Sequence, residues 1–355
     1  MKIFITGICG FVGSALARTW LQADSSVTIY GIDNLGRNGS QVNRDSLKKM
    51  GVRVYHGDIR LASDFESIPA PDFLIDAAAN PSVLAGVDGR SSSRQVVEHN
   101  LIGTVNMLEF CKATGAGFIL LSTSRVYSID ALSGIPIESK DNAFVPSAGQ
   151  KAMGGFSAAG VAEDFSTQSP ISLYGSTKLA SEALALEYAH AFGLRVYINR
   201  CGVLAGAGQF GHAEQGIFSF WLHSWRNRRP LKYIGFNGLG HQVRDALHPR
   251  DLLNAVRRQV AFAATPRHRI VNLSGGVENA ISLANLSQWC QNRWGKHEVA
   301  SEPRNRPFDI PWLVLDSARA QAEWSWRPAV SLGMILVEIA DFADAHPDWL
   351  DLSSV

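Results

Sequence analysis

The first residues of the chain constrain its fold more than any other stretch. A short apolar run, Ile3-Phe4-Ile5-Thr6, passes directly into Gly7-Ile8-Cys9-Gly10-Phe11-Val12-Gly13, and a helical pattern follows. Glycines at every third position after a buried strand strip the Cβ atoms from the turn. Backbone N–H groups at the positive end of the helix can then approach an anion closely. The spacing alone also fits a tight turn that holds no ligand. Asp33 favours the first reading. It ends the second apolar run, where a carboxylate can bond both hydroxyls of a dinucleotide ribose. A 2′-phosphate would be repelled there, which favours NAD over NADP, although Arg37 and Arg44 lie near enough to soften the repulsion.

Five more apolar runs extend the pattern. Residues 2–6, 27–33, 52–57, 73–77, 117–121 and 195–201 are short, rich in branched or aromatic residues and too apolar to alternate, as strands covered on both faces are. Helical periodicity near 12–22, 40–49, 94–114 and 174–192 falls between them. Strand–helix alternation predicts a Rossmann-type, doubly wound parallel α/β sheet. Residues 128–172 are rich in Ser, Gly, Ala and Pro and break this rhythm, which predicts a long flap over the site. Beyond about residue 203 the texture changes, and eight of the nine tryptophans lie past residue 220. The expected organisation is a dinucleotide-binding domain over 1–203, with the flap inserted at 128–172, and a smaller mixed α/β substrate lobe over 204–355. The lobes are expected to interleave, with the chain returning to the first domain within 241–273, at 243–248 and 270–273. The tryptophans read as core and lobe interface rather than as a stacking platform.

Composition excludes several classes of function. With 33 basic and 32 acidic residues the net charge is +1, so nothing electrostatic draws this chain to nucleic acid or an anionic membrane. No apolar stretch approaches the roughly 20 residues of a membrane span. The four cysteines are scattered without a C-x-x-C, and the ten histidines show no metal-ligand spacing. Neither a disulfide framework nor a metal site is expected, and a reducing cytoplasm is.

Three further groups carry chemistry. Gly57-Asp58-Ile59-Arg60 follows the third strand, where Asp58 can bond an adenine amino group with Ile59 against the ring, or simply cap a helix. Tyr174 and Lys178 stand four residues apart and so share a helix face. A phenol becomes a useful base only when its pKa drops, and an ammonium or a positive nicotinamide ring lowers it. An ordinary surface helix carries such a pair too. Leu121-Ser122-Thr123-Ser124-Arg125-Val126-Tyr127 ends a buried strand at the carboxyl edge of the sheet, where ligands bind. Thr123 is the hydroxyl best placed to bridge a substrate oxygen and Tyr174, unless it only caps its own backbone.

Together with Asn100-x-x-Gly103-Thr104-x-Asn106, Arg244-Asp245 and Trp326-Arg327-Pro328, these elements resemble the extended short-chain dehydrogenase/reductase family of nucleotide-sugar epimerases and dehydratases, over nearly the whole chain. Within it, Asp33-Asn34-Leu35-x-Arg37, Ser122 to Tyr127, Gly208-Gln209-Phe210-Gly211 and Gln242-Val243-Arg244-Asp245 resemble the CDP-tyvelose (CDP-paratose) 2-epimerases. The resemblance implies that Gly7, Gly10, Phe11, Val12, Gly13, Asp33, Asn34, Asp58, Ile59, Ala77, Ala78, Ala79, Asn100, Tyr174 and Lys178 hold NAD. It implies that Thr123, Tyr174 and Lys178 are catalytic, with Lys178 lowering the Tyr174 pKa. Thr123, Ser124, Arg125, Gln209, Gln215 and Arg244 would bind a nucleotide-diphosphate hexose, with Arg244 on the diphosphate. Ser124-Arg125 stands where the sugar 4,6-dehydratases carry Asp-Glu, and neither residue can serve as acid or base for eliminating water. Ser128 replaces a usual glycine, and Cys9 in the glycine loop has no assigned role. The expected activity is epimerisation through a transient keto sugar. A UDP-sugar 4-epimerase, a sugar-nucleotide dehydrogenase and a non-catalytic NAD-binding regulator are the alternatives. Helices 94–114 and 174–192 have apolar faces suited to a homodimer's four-helix bundle, though packing on their own sheet explains the same pattern.

Overall fold

The computed structural model describes all residues of the chain except 88, 90, 91, 149–152, 213, 214, 305, 354 and 355. The first half runs β1 (Lys2–Thr6), α1 (Phe11–Ala23), β2 (Thr28–Asp33), α2 (Ser40–Lys49), β3 (Arg53–His56), β4 (Phe73–Asp76), α3 (Ser93–Val97), α4 (Gly103–Thr114) and β5 (Gly117–Thr123). Next come α5 (Ile129–Ser133), β6 (Ile137–Lys140), β7 (Ala143–Pro146), β8 (Phe156–Ser157), β9 (Gly160–Val161), α6 (Ser172–Phe192), β10 (Val196–Cys201) and β11 (Val203–Leu204). The remainder comprises α7 (Ile217–Arg226), β12 (Leu231–Ile234), β13 (Val243–Leu247), α8 (Pro249–Ala261), β14 (Ile270–Leu273), β15 (Ala280–Ser282), α9 (Leu283–Trp294), β16 (Val299–Glu302), β17 (Trp312–Leu313), α10 (Ala318–Trp324), α11 (Leu332–Ala345) and α12 (Trp349–Ser353).

Seven parallel strands form the central sheet in the order β14-β10-β5-β4-β1-β2-β3. This is the doubly wound arrangement that the strand–helix alternation predicts. The apolar strand residues bury both faces, so one core lies under α1 and α8 and the other under α4 and α6. The strand order reverses between β1 and β4. There the carboxyl ends of the strands open a crevice, and both Asp76 and the glycine loop stand at its edge.

The second half differs from expectation at two points. Residues 243–248 do not rejoin the first sheet. β13 is the centre of a separate small sheet, pairing with β11, β15 and β17, while β14 pairs with β10 at the edge of the large one. A run of apolar residues indicates a buried strand but not which sheet it joins. Residues 128–172 are not an aperiodic flap either. Their described part contains a short helix and two hairpins, with Leu132, Ile135, Val161 and Phe165 buried against Trp312 to Leu315. Strands of two to four residues are too short to show periodicity. The part of the expected flap at 149–152 lies outside the described residues. Six tryptophans of the second half (Trp221, Trp225, Trp312, Trp324, Trp326 and Trp349) are buried, in packing and lobe contacts. No helix among the described residues is long and apolar enough to cross a membrane.

Candidate active site

The glycine loop folds as its spacing requires. Gly7 takes a left-handed φ of 61°, and a Cβ on Gly13 would lie 2.4 Å from the Gly7 carbonyl oxygen. Gly7 therefore makes the turn and Gly13 lets α1 pack against it. A Cβ on Gly10 would meet only the Gly7 oxygen, at 3.1 Å, so its other side opens into the crevice. The first turn of α1, with Phe11 and Val12, has the outward donors of every helix start. Asp33 is buried, and its two oxygens accept the N–H groups of Cys9 and Leu35, each at 2.8 Å. Burial raises its carboxyl pKa and these N–H groups oppose the rise. A carboxylate oxygen has a second lone pair, so each can still accept a ribose hydroxyl. This glycine cradle and carboxylate fit NAD. Arg37 points elsewhere: it donates to Gln215 at 3.1 Å and lies 5.8 Å from the Phe210 ring, across in the second half of the chain.

Asp58 is clamped by Arg60 through bonds of 2.9 and 2.7 Å and receives Asn34 Nδ2 at 3.1 Å. The Arg60 guanidinium holds its carboxyl well below the usual carboxylate range. Ile59 is buried beside Gly103, where a Cβ would come within 2.6 Å of it. Ala77, Ala78 and Ala79 follow β4, and the Ala78 N–H donates to Thr6 Oγ1 at 3.3 Å. Asn100 sits in a single π turn, Glu98–Ile102, between α3 and α4. Its amide bonds both backbone groups of Asn80, at 2.8 and 3.1 Å, and Thr177 Oγ1 at 3.2 Å, so it anchors the loop that follows the alanines. Cys9 is fully buried in the core with its thiol pKa pushed up to about 12 by burial, and behaves there as a small apolar residue. Ser128 caps α5, accepting the Ala131 N–H at 3.4 Å.

Tyr174 and Lys178 lie on the buried face of α6. The helix comes close because Gly175 has no side chain: a Cβ there would stand 2.3 Å from the Arg125 carbonyl oxygen. The Tyr174 phenol faces Thr123, which ends β5. Burial pushes the phenol up to about 12, and the Thr123 hydroxyl and then the Arg125 guanidinium act to lower it. The Lys178 ammonium faces Asp76, with Nζ 4.0 Å from Oδ2.

Beside this corner lies a cavity of about 210 Å³ whose lining includes Arg125, Gln215, Gln242, Arg244, Arg306 and Asp309. Arg244 donates to the Val243 and Ile310 carbonyls, each at 2.7 Å, and pairs with Asp309 at 3.5 Å. Burial lowers its pKa to about 10. Arg125 donates to the Phe308 carbonyl at 3.4 Å. Three guanidiniums against one carboxylate leave this lining with a positive excess suited to a diphosphate. Gln209 does not join them. Its Nε2 donates to the Leu204 carbonyl at 2.5 Å, and its backbone carbonyl accepts from Ser219 and Trp349. Ser124 is buried in the turn after Thr123, outside the cavity lining. Asp76, Arg306 and Asp309 were not singled out from sequence. Arg306 and Asp309 belong to a loop without periodicity, and their only signal is a charged pair flanking Pro307. Among the described residues no group of His, Cys, Asp and Glu could hold a metal ion.

Residues 3–274 match the NAD dependent epimerase/dehydratase family. The chain belongs to this family. It is an NAD-dependent enzyme. It is 27% identical to CDP-paratose 2-epimerase of Salmonella typhi, over 93% of this chain and 96% of that protein. It is 26% identical to UDP-glucuronate 4-epimerase of Thermodesulfobacterium geofontis, over 92% and 91%. Among solved structures, UDP-glucose 4-epimerase of Thermus thermophilus in complex with NAD superposes with a TM-score of 0.75, at 25% identity, over 97% of this chain and 99% of that one. UDP-glucuronic acid 4-epimerase of Bacillus cereus gives a TM-score of 0.76 at 23% identity, with the same coverage, and shares the fold.

Proposed function

We propose that this chain epimerises a nucleotide-diphosphate hexose, in the manner of a CDP-tyvelose 2-epimerase, by oxidising it transiently to a keto sugar and returning the hydride to the opposite face. The observation that carries this reading is the buried Tyr174–Thr123 pair beside a cavity lined by Arg125, Arg244 and Arg306. Arg244, with Arg306, holds the diphosphate, displacing the Asp309 carboxylate from its guanidinium. Gln215 lines the same pocket and ties it through Arg37 to the residues that follow Asp33. Thr123 orients the reacting hydroxyl, and Tyr174 takes its proton as the hydride leaves and gives it back as the hydride returns. Bound NAD would supply the acceptor and donor of that hydride, and its positive ring would lower the Tyr174 pKa. The absence of an acid–base pair at Ser124-Arg125 disfavours dehydration. Inversion at C2 rests on likeness to the CDP-paratose enzyme, at 27% identity, beside 4-epimerases of 26% to 28% identity.

The test is NMR of the purified protein with CDP-, UDP-, GDP- and dTDP-hexoses in deuterated water, without added cofactor. A product inverted at one carbon, with no deuterium there, is expected. NADH appearing in proportion to substrate would favour a dehydrogenase instead. We also place the protein in the cytoplasm, in keeping with four free, buried cysteines, as a homodimer joined through α4 and α6, where Ile102 and Phe192 border exposed faces. Light scattering that returns the monomer mass would remove the dimer.

A further inference from the structure

We propose that Asp76, buried beneath the site, is the countercharge that keeps Lys178 protonated and so keeps the Tyr174 phenol ready for proton transfer. The inference rests on the reading of Tyr174 and Lys178 as a proton-transfer pair. Asp76 would be a positioning residue, acting through Lys178.

Asp76 ends β4 after Phe73, Leu74 and Ile75, all fully buried apolar residues. The next inward position of such a strand ordinarily takes another apolar side chain. A carboxylate there is costly unless it is bonded and paired. It is both. The parallel register sets Asp76 opposite Thr6, whose hydroxyl donates to it at 3.2 Å, and Thr104 donates from α4 at 3.3 Å. The Lys178 ammonium on α6 stands 4.0 Å away, and the two side chains are 2% and 1% exposed. Thr104 in turn bonds the Asn100 carbonyl and accepts Ser181, so one polar cluster joins β1, β4, α4 and α6. The other titratable groups facing this pair are Cys111 from α4, Cys201 from β10 and Tyr174 on α6 itself. Both cysteines are pushed to high pKa by burial, so neither supplies a negative charge. Burial raises the Asp76 carboxyl too, but the Lys178 ammonium and the Thr6 and Thr104 hydroxyls oppose that rise, so Asp76 is the group that can face this ammonium as an anion. An unpaired buried ammonium gives up its proton.

Asp76 has two opposed effects on the phenol. Its direct repulsion raises the Tyr174 pKa, and its support of Lys178 lowers it. We take the second as the larger, since losing the ammonium would remove a full positive charge from the helix face that carries the phenol. Asp76→Asn keeps the shape and one of the two hydroxyl acceptors, while its NH2 replaces the other oxygen and can donate to a hydroxyl oxygen instead. In that variant the acid limb of the kcat profile of the NAD-bound enzyme should move up by about one pH unit. A limb that stays put, or moves down as the lost repulsion alone would make it, overturns the proposal.

A second readout needs no turnover, so it holds even if the epimerase reading fails. In Asp76→Asn the unfolded Lys178 binds its proton more tightly than the folded one, so stability rises with pH. The melting-temperature gap to wild type should narrow between about pH 7 and 9, and adding Lys178→Met should remove that pH dependence and restore part of the loss. A purely structural role for Asp76 predicts a constant gap. A constant gap, or a double variant no more stable than Asp76→Asn, overturns the proposal.

Discussion

The cofactor cradle and the arginine cavity are built by opposite means. The cradle is made by backbone: three glycines and one carboxylate within the first 33 residues, with N–H groups as the donors. The cavity is made by residues drawn from seven separated stretches of chain, around 83, 125, 203, 215–218, 242–244, 281–286 and 306–309. A backbone site tolerates few substitutions and is written as a compact motif. A side-chain site can change its ligand by changing single residues on unchanged elements. Relatives that share the fold yet differ in the sugar and carbon named for them fit this division.

Tyr174 carries the proposed proton transfer, and its variant should have the largest effect. Tyr174→Phe should lower kcat by roughly 10²- to 10⁴-fold while extracted NAD content stays the same. If the natural chain shows no turnover to lose, the regulator reading returns. Arg244→Ala should strike the cavity alone, weakening sugar-nucleotide binding by on the order of 30-fold, with NAD unchanged by extraction. Loss of both ligands together would mean that the two halves are not separable. Asp33→Asn is the converse test. It should release NAD with an affinity loss of about tenfold and leave binding of the free nucleotide diphosphate, followed by calorimetry, nearly intact. The smallest effect is expected from Gln209→Ala. Because Gln209 bonds the Leu204 carbonyl outside the cavity, the change should cost about 1 kcal/mol of stability and leave KM within a factor of about two. A large rise in KM would return Gln209 to the substrate.

The cradle was legible because its logic is local. The spacing of Gly7, Gly10 and Gly13 and the place of Asp33 at a strand end follow from backbone geometry over a few dozen residues. The Tyr174–Lys178 spacing was equally plain, but the partners of the pair were not. That Lys178 faces Asp76, and that Thr123 and Arg125 stand beside the phenol, depends on how β4, β5 and α6 stack. Gln209 and Gln215 look alike in sequence, six residues apart, yet a left-handed turn at Gly216 leaves only Gln215 on the cavity. Arg306 and Asp309 gave no periodic signal at all.

By itself the sequence determined the parallel sheet, the helices that cover it and the dinucleotide cradle, because strand burial and glycine geometry act between near neighbours in the chain. Only the tertiary structure decided that 243–247 forms a second sheet, that 128–172 packs as short hairpins, and which arginines share a cavity. Those outcomes depend on contacts between residues tens to more than a hundred positions apart, and no local pattern encodes which distant surface an apolar strand or a buried charge will meet.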